Sequence, residues 1–157
     1  MHLVFLWLVE DLLTVFTGGA AQIPELFILG VVYKILTDDE ERRFNLPAIW
    51  IAFAGGILWD LRWVGIPGFF TLGYVAAILI IIQIWEVIPP QGRTSGNGFY
   101  YIVFALLEIS QLLPPVLPVL ILGGGTGWIF FIRQQIYSLP AILICLWLYV
   151  RKIRRSN

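Results

Sequence analysis

Residues 55–68 read GGILWDLRWVGIPG and sit between two long apolar runs. Gly55 and Gly56 carry no side chain, so a neighbouring helix can approach closely there. One helical turn on come Trp59 and Asp60, then Arg62 and Trp63, and finally a tight return through Gly65, Pro67 and Gly68. The stretch therefore reads as the end of one helix, a turn, and the start of the next. Two readings of Asp60 and Arg62 follow. Either they lie at headgroup depth beside interfacial tryptophans, or Asp60 ties down the connection from Val64 to Phe70. Both are structural roles, and neither makes Asp60 a catalyst.

The flanking runs decide the class. The 157-residue chain is 59% hydrophobic and 15% aromatic, with only 13% charged residues and a mean hydropathy of +0.87. A soluble domain of this length has no core large enough to hide so much apolar surface. The apolar residues also come in blocks and do not alternate, which points to a bilayer as solvent. The expectation is an all-α, polytopic membrane helical bundle forming one domain over residues 1–157.

About six transmembrane helices are expected. The first runs from near Leu3 to Phe16 as an uncleaved span, and the second from Ile23-Pro24-Glu25 to Leu36. The third begins at Pro47 and reaches the opening stretch; the fourth covers Phe69 to Val87. The fifth runs from Phe99 towards Leu113, meets Pro114-Pro115 and Pro118, and resumes to Leu122. Gly123 to Gly127 breaks the pattern, and the sixth is clearest from Tyr137 to Val150. The segment from Pro114 to Gln135 reads either as the end of a kinked fifth span or as a partly re-entrant connection. Several blocks fall short of the ~20 residues that cross the hydrocarbon core, so they borrow flanking aromatics or thin the bilayer locally.

Charge placement sets the expected orientation, since the ten basic and ten acidic residues cancel. With both termini inside, Lys34, Arg42, Arg43, Arg93, Arg151, Lys152, Arg154 and Arg155 are cytoplasmic, against Arg62 and Arg133 outside. That asymmetry follows the positive-inside rule. The opening stretch then lies at the outer face of a cytoplasmic membrane.

Apart from the charged loop Asp38 to Arg43, the remaining acids lie at or within apolar runs. Glu10 and Asp11 are adjacent, so on a helix they point about 100° apart and cannot share one narrow face. They read as a contact for a partner's basic residue or as occupants of a polar cavity in the bundle. Glu25 after Pro24 suits a helix start, with proline in the first helical position and an acid in the first turn. Glu108, near Ser110 and Gln111, reads as a functional carboxylate or as an interhelical hydrogen-bonding group. The one histidine, His2, and the one cysteine, Cys145, assemble no metal cluster, disulfide or nucleophile-base pair. Gly123 to Gly127 lacks the Lys-Ser/Thr pair of a phosphate loop. No cofactor, metal, enzymatic chemistry or nucleic-acid partner is expected.

Three pieces in order resemble the MreD family of bacterial rod-shape membrane proteins. These are IPELFILGVVYKIL (23–36), GGILWDLRWVGIPGFFTLGY (55–74) and YSLPAILICLWLYVRKIRR (137–155). The first is similar to that family's proline-acid-leucine start of its second span. The second is similar to its glycine, Asp-Leu and glycine-rich return, and the third to its final span and basic tail. The Glu10-Asp11 pair, the proline-rich stretch and the glycine run have no place in the family pattern.

The resemblance implies a fold similar to the substrate-binding components of energy-coupling-factor transporters. It also implies a non-enzymatic scaffold that binds the single-span protein MreC. Through it the scaffold helps regulate the RodA glycosyltransferase and its penicillin-binding transpeptidase, with the MreB filament as a further partner. Under that reading Gly30, Gly55, Gly56 and Gly73 offer small-residue faces to partner helices, with Trp59 and Asp60 setting register. The competing expectation is a substrate-binding subunit of a vitamin-type transporter, for which Trp59, Asp60, Trp63 and Glu108 would supply ligand contacts.

Overall fold

A computed structural model of the protein describes residues 3–17, 23–37, 45–64, 67–89, 97–122 and 125–156, and the statements below concern these. They form six helices and no strand: α1 (Leu3–Phe16), α2 (Leu26–Thr37), α3 (Asn45–Trp59), α4 (Phe69–Val87), α5 (Asn97–Leu122) and α6 (Gly125–Ser156). A π-helical turn, Asp60–Val64, extends α3. Gly65, and the basic residues Arg42, Arg43 and Arg93, lie outside the described residues.

Helix α2 is the centre. Its sequence, LFILGVVYKILT, is apolar nearly all round, the pattern of a helix enclosed on every side. Phe27 to Val32, Gly30 among them, are buried, as are Ile35 and Leu36. The other five helices all touch it. At 12 residues it is roughly 18 Å long, too short to cross a ~30 Å hydrocarbon core unaided.

Three helices are long and apolar enough to cross a membrane: Phe69–Val87, Gly98–Val116 and Phe131–Arg154. Helices α1 and α3 are shorter, at 14 and 15 residues. The apolar interior of the bundle also encloses several polar side chains, and its outer surface is apolar as well. Glu10, Glu25, Asp60, Ser110 and Gln111 are all buried, whereas Phe5, Leu12, Trp50, Leu72, Leu143 and Trp147 are exposed. That arrangement suits a membrane protein, in which lipid takes the apolar faces and polar groups must find one another.

The expected break in the fifth span does not occur. Helix α5 continues through Pro114, Pro115 and Pro118, and residues 125–136 join α6. A proline at position 115 cannot donate to the carbonyl four residues back, which is that of Gln111. The Gln135 side-chain amide of α6 donates to that carbonyl instead, at 3.3 Å. A neighbouring helix thus replaces the lost bond, and the proline run stays helical.

Candidate functional site

Gly55, Gly56 and Gly73 turn inward. A Cβ built on Gly56 would lie 2.5 Å from the Thr71 Cα of α4, and one on Gly73 would lie 2.6 Å from the Pro114 Cα of α5. One on Gly55 would lie 2.1 Å from the Phe27 ring. These approaches are within the chain, so the expectation that Gly55, Gly56 and Gly73 face partner helices is corrected. Their missing side chains set the α3–α4 and α4–α5 spacing. Gly30 is buried in α2 and offers no outer face.

Asp60 is fully buried and anchors the turn. Oδ2 accepts from the Gly68 N–H at 2.8 Å, the Thr71 N–H at 3.1 Å and the Thr71 hydroxyl at 2.6 Å. Oδ1 accepts from the Phe70 N–H at 2.8 Å. The carboxylate therefore caps the first turn of α4, where backbone N–H groups have no partner in the helix. Gly68 precedes α4 at φ 116°, left-handed backbone that favours glycine. The tie from Asp60 across the connection to α4 is therefore present. Pro67 is exposed beside it, and Trp59 is buried against Trp63 and Phe70 with ring centroids 6.1 and 6.4 Å away.

Asp11 and Glu10 diverge as their spacing requires. Asp11 accepts from Arg62 Nε at 3.2 Å and from the Trp63 indole N–H at 3.0 Å. Its basic partner is therefore a residue of the same chain. Glu10 points into the bundle, the single fully buried residue of α1.

Around Glu10 five helices bring their polar groups together. Glu25 is the residue before α2, and its carbonyl accepts the first helical bond, from the Leu29 N–H at 3.1 Å. It is thus the cap, and Pro24 lies outside the helix, two positions before its first residue and not at it as expected. The Gln111 side chain of α5 mimics a peptide against it. Its Oε1 accepts from the Glu25 N–H at 2.9 Å, and its Nε2 donates to the Glu25 carbonyl at 3.0 Å.

The Glu25 carboxylate accepts from the Tyr74 hydroxyl of α4 and from Gln134 Nε2 of α6 at 3.3 Å. Glu10 Oε2 accepts from the Phe27 N–H at 2.8 Å, so α1 caps α2 in trans. This junction holds α1, α2, α4, α5 and α6 at one level. Losing one buried partner in such a network costs about 1–3 kcal/mol.

Sequence reasoning placed Glu10 and Glu25 but missed Tyr74, Gln111 and Gln134 as partners of Glu25. The available signal was polar amides inside apolar runs. Glu108 is half-buried on α5, and among the described residues no hydrogen bond reaches its carboxylate. Among the same residues no group of three His, Cys, Asp or Glu side chains could hold a metal ion.

At the opposite end, Asn45 Nδ2 donates to Glu86 Oε1 at 2.8 Å and Lys152 Nζ donates to the Thr37 carbonyl at 3.0 Å. Trp85, Phe99 and Tyr149 pack there with centroid spacings of 5.7 and 6.3 Å. Lys34, Arg151, Lys152 and Arg154 gather at this end, and Arg62 lies at the other. Compared with protein-family models, curated proteins and solved structures, the chain matches none of them.

Proposed function

We propose that this chain is a non-enzymatic membrane scaffold of the MreD type, with six spans and both termini cytoplasmic. In this reading it binds the transmembrane helix of an MreC-type protein and couples it to RodA, its transpeptidase partner and the MreB filament in lateral wall synthesis. The observation that supports it is where polarity goes. Asp60 is fully buried and already accepts four hydrogen bonds within the fold, so it is not presented to a substrate. Gln111 is likewise spent on the Glu25 backbone. What the chain still offers is its outer apolar surface.

With the glycine faces used internally, the partner helix belongs on α6. Ile129, Ile132, Ile136, Leu139 and Leu143 are exposed and recur at alternating three- and four-residue spacing, the seam of a helix pair. Ser138, Ile142, Cys145 and Tyr149 form the inward face of the same helix. In lipid such a seam associates by side-chain packing, since hydrocarbon is as apolar as leucine. The gathering of basic residues at the Lys34–Lys152 end supports the orientation.

The test is native mass spectrometry of the protein purified in detergent after co-expression with its host's MreC-type protein. A heteromeric mass that weakens in Leu139→Ala/Leu143→Ala is the expected result. A lone protein carrying a small-molecule adduct would overturn it and favour the transporter-subunit reading.

A further inference from the structure

Glu10 presents a problem that the rest of the junction does not share. It is 1% exposed, and Oε2 is satisfied by the Phe27 N–H, but Oε1 has no hydrogen-bond donor. An orphaned carboxylate oxygen inside a bundle is costly. Through Phe27 this carboxylate sits at the head of α2, whose cap residue is Glu25, so two buried carboxyls belong to one helix end.

Among the described residues the groups around this pair are neutral or acidic, and one turn earlier on α1 the Trp7 indole N–H is likewise buried without a partner. From α2 come the cap and the Phe27 N–H, from α4 the Tyr74 hydroxyl, and from the π-helical turn Asp60, already bonded to the α4 backbone. From α5 and α6 come only neutral groups: Ser110, Gln111, Gln134 and Gln135. The acid adjacent in sequence, Asp11, turns away to Arg62. Among the described residues no cationic side chain hydrogen-bonds to this pair.

We propose that Glu10 and Glu25 form a binding site for one exchangeable proton, held between Glu10 Oε1 and the Glu25 carboxylate. Two carboxyl groups buried at one helix end share a proton because both cannot ionise side by side. The proton supplies the missing donor for Oε1 and fastens α1 to the head of α2. Because Glu10 is the one fully buried residue of α1, losing the proton sets two like charges against each other at that helix's main attachment. The site is thus a proton-dependent latch for α1. It stands whether or not the scaffold reading does.

The test uses the full chain in lipid vesicles, read by infrared spectroscopy in H2O and D2O. Wild type should show a carboxylic-acid C=O band that shifts in D2O, is lost in Glu10→Gln and survives in Glu108→Gln. Glutamine is the isosteric mimic of protonated Glu10, donating its own N–H to Glu25, so Glu10→Gln should fold. A second readout is thermal unfolding against pH. A proton held by the folded state is released as pH rises, so wild-type stability should fall on alkalisation while Glu10→Gln stays flat. No such band in wild type, its loss in Glu108→Gln in place of Glu10→Gln, or parallel pH profiles would each overturn the proposal. Restoration of wild-type stability at high pH by sodium would also overturn it, in favour of a metal cation site.

Discussion

Asp60 and Glu10 are both carboxylates buried at the same end of the bundle, and they are held in opposite ways. Asp60 accepts four donors, three of them backbone N–H groups at the head of α4. Glu10 accepts one, at the head of α2, and keeps an oxygen without a donor. A buried acid costs little once its acceptor sites are filled and much while one is empty. The difference teaches that burial alone does not assign a role. Asp60 is a fastening of the fold, and Glu10 is a place where something small still has to bind.

The comparison breaks most sharply at Asp60. Asp60→Ala leaves three backbone N–H groups and a hydroxyl without their acceptor. It should destabilise the protein by about 3–5 kcal/mol, the upper range for loss of a buried network, measured by thermal unfolding in detergent. Next comes Gly56→Ala. Its methyl would meet Thr71 backbone, which cannot step aside without moving α4 and the Asp60 cap. The expected loss is about 1–3 kcal/mol, and larger than for Gly55→Ala, whose methyl meets a side-chain ring. Equal losses for the two alanines would remove the α3–α4 contact from the account.

Smallest is Asp11→Asn. The Asp11–Arg62 pair is solvent-facing, with Arg62 55% exposed, and exposed pairs contribute about 1 kcal/mol or less. A shift in melting temperature matching that of Asp60→Ala would show that α1 is held at its rim.

Much of the fold was legible because the apolar blocks coincide with helices. The expected bounds of α1 and α4, Leu3 to Phe16 and Phe69 to Val87, are those observed. The proline run was left between two readings, of which the helical one holds as far as Leu122, because its effect depends on a distant residue. Local rules end a helix near Pro115, and the Gln135 amide that keeps it intact lies 24 positions away in the chain at its Gln111 contact. The Asp60 tie was one of two legible readings, since its donors lie 8–11 residues on.

The junction was legible only in part for the same physical reason. Glu25 and Gln111 are 86 residues apart and Glu25 and Gln134 are 109 apart, so no local spacing announces them. A sequence shows which polar residues sit among apolar ones. It does not show which of them meet.

The most direct test of the contrast is to unfold Asp60→Asn and Glu10→Gln side by side, in the same detergent at neutral pH. Each change replaces a carboxylate oxygen with an amide NH2. At Asp60 the NH2 faces backbone donors and should cost several degrees of melting temperature. At Glu10 it faces the Glu25 carboxylate and supplies the missing donor, so the melting temperature should hold or rise. A loss at Glu10 as large as the loss at Asp60 would contradict the account.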